Sequence, residues 1–492
     1  MRNLKEKTIR ASVARLIAQG ANFGLRLVSL MVLSRLLAPK EFGLIGMVTA
    51  FTGVLDMFRD FGLSAAAIQH KSVTEEQIST LFWINLAAGL FLGLLAAGLA
   101  PALAAFYREP RLIAVTAALG SGFIFNAAGV QHSAILQREM RFTALAVINT
   151  VSLVLSISVG IMGAVAGYGY WSLVAMTLTT PLAATIGMWI TVGWVPKWPQ
   201  RGTGIGPMVR FGGTLTLNGL LAYCAYNLDK VLLGRFWGAY ALGIYGRSYQ
   251  IVNIPTANLN SAAGEVAFSA LSRLQDDPAR FRNYFLKGYS LVMAFTIPIT
   301  TVCMLFADDV VLVLLGPNWK SAAEILRRLA PTILVFGIIN PVGWLMTSLG
   351  LVARSLRLAF IFAPLITAGY IIGAPYGPKG VALGFSAVML LSAIPLTALC
   401  VRGTPVSLRD ILSTIARPLG AALVAGLCAL AARILCAHLA NPIFRLARES
   451  SVLLVVFLLM QVFVAGEKTF YLDLLRGMMR RSTEKDEKVF IG

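Results

Sequence analysis

Five polar residues of the first long apolar stretch, Arg15, Gln19, Asn22, Arg26 and Ser29, recur at spacings of 4, 3, 4 and 3. That rhythm is the helical repeat, so the five form one stripe on one helix face. An arginine at the middle of a membrane helix costs about 2.5–3.5 kcal/mol on insertion scales. It is retained where its face looks into a water-filled cavity or meets an anion. Arg26 has no acid within its own stretch to neutralise it. The second stretch carries Thr49, Thr52, Asp56, Arg59 and Asp60 in a similar pattern, and later come Tyr226 with Lys230, then Arg247, Gln250, Asn258, Ser261 and Glu265. Guanidinium forks match phosphate oxygens in pairs, so the chemistry on offer is the binding of a phosphate-bearing substrate. The candidate binding set is Arg15, Gln19, Asn22, Arg26, Arg59, Lys230, Arg247 and Gln250. Internal pairing is the competing reading for Arg59 (with Asp56 or Asp60) and for Lys230 (with Asp229). Arg35 and Arg235, near helix ends, can instead snorkel to the headgroups.

Bond-making chemistry finds no comparable support. The chain has no Gly-Lys pair, hence no Walker A lysine, and neither an HExxH nor a GxSxG motif. His70, His132 and His438 are scattered, and His132 reads as a helix-packing residue. The 5 Cys lie in apolar runs without a CxxC. No catalytic residue, metal ligand or cofactor is assigned.

The elements that must position these residues are membrane helices. Of 492 residues 57% are hydrophobic and 13% charged, against about 25% charged in soluble domains, and the mean hydropathy is +0.76. A soluble enzyme, a disordered chain and a disulfide scaffold are excluded. About fourteen windows are long and apolar enough to span a bilayer. They fall at 11–38, 42–68, 81–106, 112–136, 142–166, 171–195, 211–237, 241–270, 289–315, 325–349, 356–372, 381–401, 415–437 and 452–465. Between the eighth and ninth, Ser272–Lys287 mixes arginines with aromatics and reads as an interfacial helix.

The charge of +20 belongs to the loops before it belongs to nucleic acid, which is not expected as a partner. The N-terminus, the even-numbered connections and the tail hold 25 of the 42 Lys and Arg; the odd-numbered connections hold 12. By the positive-inside rule both termini are cytoplasmic. The chain also repeats. Leu33-Ser34-Arg35 with Gly43 and Gly46 returns 200 residues later as Leu233-Gly234-Arg235 with Gly243 and Gly246. Asn126, Gly129 and Ser133 match Asn340, Gly343 and Thr347, each set followed by an Arg-x-x-Arg turn, Arg138/Arg141 and Arg354/Arg357. The expected fold class is an all-α polytopic membrane protein. Two parallel six-helix repeats, 1–200 and 201–405, form V-shaped lobes around a central cavity. Two further helices occupy 406–466, and a cytoplasmic tail follows at 467–492.

Leu33–Gln69 (LSRLLAPKEFGLIGMVTAFTGVLDMFRDFGLSAAAIQ) resembles the opening of Wzx-type polysaccharide flippases. Asp229–Ile251 and Ala267–Asp277 look like the second-half signature of that family, except that Ser269 stands where relatives commonly place a proline. The family belongs to the multidrug/oligosaccharidyl-lipid/polysaccharide exporter superfamily, and the colanic-acid and exopolysaccharide exporter branch is the most similar. The resemblance implies a carrier that turns undecaprenyl-diphosphate-linked oligosaccharide from the inner to the outer leaflet of a bacterial cytoplasmic membrane by alternating access. It also implies cavity arginines on the first, second and eighth helices, here Arg15 and Arg26, Arg59, and Arg247. Membrane lipids, a polysaccharide polymerase and a chain-length regulator are the implied partners, with H⁺ or Na⁺ as a coupling ion. Two other readings stay open: a multidrug or cation antiporter of the same superfamily, and a membrane enzyme that ligates or polymerises glycan.

Overall fold

The computed structural model describes residues 2–58, 74–199, 206–435 and 441–464, with backbone alone at 2–18 and over most of 206–225. Every regular element among them is helical. In chain order they are α1 (Arg2–Leu36), α2 (Pro39–Asp56), α3 (Glu75–Tyr107), α4 (Leu112–Arg138), α5 (Phe142–Val165), α6 (Tyr170–Val192), α7 (Gly206–Ser272) and α8 (Pro278–Leu305). Then come α9 (Ala307–Leu314), α10 (Lys320–Leu329), α11 (Pro331–Ser348), α12 (Val352–Gly373), α13 (Gly377–Val401), α14 (Leu408–Leu435) and α15 (Pro442–Leu459). Nine helical stretches among the described residues are long and apolar enough to cross a bilayer. The chain is an all-α, multi-pass membrane protein.

Local chemistry sets where the helices begin. Thr74 accepts from the Gln77 amide at 3.2 Å while Gln77 Oε1 accepts from the Thr74 amide at 3.0 Å, a reciprocal cap that starts α3. Asp277 and Asn441 cap α8 and α15, each ahead of a proline at the first helical position. The seventh and eighth expected spans run end to end as α7, broken at Gly238, whose φ of 78° a side chain would resist. Trp237 beside the break donates to the Ala374 carbonyl at 2.8 Å.

One expectation is corrected here. Ser272–Lys287 is not a separate interfacial helix: a turn follows Ser272, and Pro278 opens a helix that continues unbroken to Leu305. Arg280 and Arg282 lie in the first turns of that span. Arg282 reaches Asp410 of α14 through two hydrogen bonds, its Nε at 2.9 Å from Oδ2. A basic, aromatic stretch therefore served to tie helices together. The ninth expected span, 289–315, is divided: α8 stops at Leu305, and Asp308 and Asp309 fall in the first turn of the short α9.

The chain forms two compact units. One comprises Met1–Ile254, Leu314–Ile325 and Arg357–Val388; the other comprises Pro255–Val313, Leu326–Leu356 and Met389–Gly492. In the first, α3 lies along α4 through small residues. A β-carbon at Gly93 would sit 3.0 Å from the Gly120 carbonyl oxygen, and one at Gly120 3.1 Å from that of Gly93. In lipid, where burial gives little preference for helix over solvent, such close approach is what drives association. The α12–α13 hairpin uses the same device, with Gly369 and Gly373 facing Gly384 and Gly380 backbone to backbone. The sequence repeat also meets itself in this unit: a side chain at Gly43 would overlap the Ala239 carbonyl, and one at Gly243 the Pro39 carbonyl. Leu33, Leu37, Ala164 and Leu173 bury α1 against α5 and α6.

In the second unit, α14 and α15 join α8 and α9. Asp309, fully buried, accepts from Arg445 Nε at 2.9 Å and lies 3.4 Å from Arg433; Arg433 also lies 3.8 Å from buried Glu449. Removing one member would leave an uncompensated buried charge. The repeated Arg-x-x-Arg turns do equivalent work. Arg141 donates to the Thr191 carbonyl at 3.3 Å in the first unit, and Arg354 to the Arg402 carbonyl at 2.6 Å in the second. Each thereby satisfies a backbone oxygen at the end of another helix.

Candidate functional site

Arg26, Ser29 and Leu33 follow one another along one face of α1, as the helical spacing requires. Arg247 and Gln250 sit one turn apart on α7. All five line a single hollow in the first unit. Its remaining wall is mostly apolar, from Phe42 and Ile45 of α2, Ile157 of α5 and Met176 of α6. A largely apolar cavity with a few convergent polar groups is the usual form of a ligand site.

Arg247 is the most constrained member. Its guanidinium lies 3.7 Å over the Phe42 ring centre, and Nη1 donates to Gln250 Oε1. Phe42 is held in turn by Trp319, 5.5 Å between ring centres, whose indole donates to the Ser34 carbonyl at 2.7 Å. Nε of Arg247 is buried and meets no protein acceptor among the described residues. The arginine is thus oriented by a ring and an amide, with no carboxylate paired to it there and with donors left over for a ligand. Arg26, across the hollow, is exposed to it.

A second hollow collects the polar stripe of α2, Thr49, Thr52 and Asp56, with Asn126 of α4 and Thr177 of α6. Thr177 borders both hollows. Tyr223 donates to the Thr49 carbonyl at 3.2 Å beside it.

The other expected site residues fall differently. Asn22 is half-buried on α1, its side-chain oxygen enclosed without a partner among the described residues, and Gln19 is half-buried a turn earlier. Neither lines the hollow. Arg15 is on the α1 backbone but its side chain lies outside the described residues, as does Arg59 entirely. Lys230 does not join the set. Its ammonium donates to Asn227 Oδ1 at 2.6 Å, and its backbone amide, not the ammonium, bonds Asp229 at 2.7 Å. Asp229 is fully buried, as are the hydroxyl-bearing Tyr245 and Tyr370. Arg235 rests 5.5 Å over Phe106. His132 is a packing residue: it is fully buried, stacked 4.4 Å from Trp189, with Nε2 3.1 Å from the Trp194 carbonyl.

Phe42 and Thr177 are among the lining residues that sequence patterning missed. Phe42 reads as the apolar start of a span, and only its contact with Arg247, 205 residues later, gives it a role in the site.

Residues 32–324 match the family described as polysaccharide biosynthesis protein. The chain belongs to that family. It is 27% identical over 402 residues to the lipopolysaccharide biosynthesis protein WzxC of Escherichia coli (strain K12), covering 80% of each chain. It is 30% identical over 298 residues to the teichuronic acid biosynthesis protein TuaB of Bacillus subtilis (strain 168), covering 59% of this chain and 61% of that one. Among solved structures it is similar to the lipid II flippase MurJ in an inward closed conformation. There the TM-score is 0.74 at 14% identity, over 95% of this chain and 100% of that one. An inward-facing multidrug resistance transporter of the MATE family gives 0.63 at 14% identity, over 82% and 99%. These two likenesses establish the fold.

Proposed function

We propose that this protein is a flippase. It moves undecaprenyl-diphosphate-linked oligosaccharide repeat units from the inner to the outer leaflet of the bacterial cytoplasmic membrane by alternating access, for exopolysaccharide or lipopolysaccharide assembly. The observation that carries the reading is the convergence of Arg26, Ser29, Arg247 and Gln250 on one hollow, with Arg247 poised by Phe42 and carrying spare donors. Two arginines facing one cavity suit a diphosphate, whose oxygens accept in pairs. The family, the names of the relatives in lipopolysaccharide and teichuronic acid biosynthesis, and the naming of MurJ as a lipid II flippase support it. Arg15, Gln19, Asn22, Arg59 and Lys230 belong to a wider path for the polar substrate in this reading.

No bond is made or broken, so the protein needs no catalytic set. The division at 1–200, 201–405, 406–466 and 467–492, with both termini cytoplasmic, is part of the proposal. A membrane potential of ~100 mV would contribute about 4.6 kcal/mol to outward movement of a doubly charged headgroup. If H⁺ or Na⁺ couples as well, buried Asp229 is the carboxylate of the described first unit that we assign to it. Polymerase and chain-length regulator are the expected protein partners. An antiporter for cationic drugs is disfavoured by the two arginines in the hollow, which repel such a substrate.

Proteoliposomes holding the purified protein and a labelled lipid-linked saccharide test the reading. Protein-dependent exposure of the label to an external glycosidase is expected. Equal exposure in protein-free vesicles would overturn it.

A further inference from the structure

The hollow on the α2 stripe differs in kind from the arginine hollow beside it. Both belong to the first unit, and Thr177 borders both. Its cavity measures about 220 Å³, and a cavity of about 150 Å³ is enough to hold a benzene ring. One six-membered ring with its substituents therefore fits. Asp56 is the one charged residue of the described wall, and it is an acid, so the hollow does not suit a phosphate. The polar groups are spread over three helices. Asn126 Nδ2 donates to the Gly122 carbonyl at 3.0 Å, while its Oδ1 meets no protein donor among the described residues. The Thr52 hydroxyl has no protein partner among them either. The Thr177 hydroxyl donates to the Leu173 carbonyl at 2.8 Å and keeps its lone pairs as acceptors. A carboxylate offers about four lone-pair sites, so Asp56 can accept from a ligand alongside any contact it makes with the protein. Phe123 of α4 and Pro181 of α6 supply an apolar surface to the same space.

Polar side chains on membrane helices are kept where they meet water or a polar ligand. A pyranose ring has the complementary surface: vicinal hydroxyls that donate and accept at once, matching hydroxyl and amide groups that do the same, and a patch of C–H groups that lies against an aromatic face. Its position is also apt. On α2, Ile45 lines the arginine hollow and Thr52 the second; on α6, Met176 lines the first and Pro181 the second. At 1.5 Å of rise per residue those steps are ~8–10 Å, the reach from a diphosphate to the first sugar rings bonded to it. We propose that this second hollow is a saccharide subsite, taking one of the sugar rings nearest the diphosphate while the arginine hollow holds the phosphates. Thr52, Asp56 and Asn126 bond the ring hydroxyls, and Phe123 backs the C–H face. The inference rests on the flippase reading and names the part of the glycan that this wall recognises.

The test measures the binding of two lipids to the purified full chain. One is undecaprenyl diphosphate; the other is the same lipid bearing the repeat-unit oligosaccharide, extracted from the cells that make the protein. Wild type should bind the glycosylated lipid more tightly. Thr52→Val and Asn126→Leu roughly keep side-chain volume, and each should lower that preference about threefold to tenfold, the loss of one hydrogen bond, with affinity for the bare lipid unchanged. Thr52→Ser keeps the hydroxyl and should keep the preference. Arg247→Met should weaken both lipids alike, which separates the two hollows. Equal loss for both lipids in the Thr52 and Asn126 variants, eluting and melting as wild type does, would make these residues structural and overturn the subsite. So would an unchanged preference in both variants, or a wild type that does not distinguish the two lipids. Binding of neither lipid by wild type would overturn the flippase reading itself, and this inference with it.

Discussion

Replacing Arg247 by methionine isolates the contribution of its guanidinium. The volume and the apolar stem are kept, so the contact with Phe42 survives as a sulfur–aromatic one. What disappears is a cation whose ring face is already occupied at 3.7 Å, whose Nη1 is bonded to Gln250 and whose Nε has no protein acceptor. A fork of two charge-assisted hydrogen bonds to a phosphate is worth about 3–6 kcal/mol. Part of that is offset because the buried cation no longer has to be kept out of water in the empty state. A net loss of about 2–4 kcal/mol follows, on the order of thirty- to several-hundred-fold in affinity for undecaprenyl diphosphate. Lysine keeps the charge but not the planar stack or the fork, and should fall about tenfold. Equilibrium binding of a fluorescent undecaprenyl diphosphate to detergent-purified variants measures both. If Arg247→Met binds within twofold of wild type, the guanidinium is a packing element against Phe42 and the hollow is not where the diphosphate sits.

Arg26→Glu places a carboxylate in the same hollow and should abolish polymer export at normal membrane levels; retained secretion would remove Arg26 from the site. A cysteine at Ser29, which is buried in the hollow wall, should label with a membrane-permeant thiol reagent to an extent that changes with substrate supply, whereas constant labelling would refute alternating exposure. Gly93→Leu should lower the melting temperature of the purified protein sharply, because its side chain meets the Gly120 carbonyl; Gly98→Ala on the same helix, where nothing lies within 4 Å, should raise it slightly. In the α3–α4 turn, Glu109 accepts from Arg111 at 2.7 and 2.9 Å, and that hydrogen bond holds its carboxyl below the ordinary 4.5. The pair therefore contributes above pH 4.5 and its stabilisation is lost as pH falls through the lowered value. Melting curves of wild type and Glu109→Gln should converge under acid.

Much of the architecture was legible because membrane helices leave a direct trace: an apolar run of sufficient length has few other uses. Arg26 and Ser29 of the expected α1 stripe line the hollow and stood out against hydrocarbon for the same reason, whereas Gln19 and Asn22, equally conspicuous in the sequence, do not line it. Partners distant in the chain were not legible. Nothing near Phe42 announces Arg247, and nothing near Asp309 announces Arg445. Adjacent residues misled in the case of Lys230, whose stem carries its ammonium to Asn227, three residues back, rather than to neighbouring Asp229. Composition misled at Ser272–Lys287, because an amphipathic face suits a neighbouring helix as well as a lipid surface, and Asp410 was the deciding partner. Gly238 was visible as a residue but not as a hinge point, since its positive φ comes from the two helices it joins.

The two Arg-x-x-Arg turns meet one desolvation problem from different positions. In one it is the later arginine, Arg141, that donates to a carbonyl at a neighbouring helix end; in the other it is the earlier, Arg354. A position-by-position comparison of the two motifs finds arginine at every point and so does not show which of them meets a helix end; that depends on which carbonyl lies within a long side chain's reach.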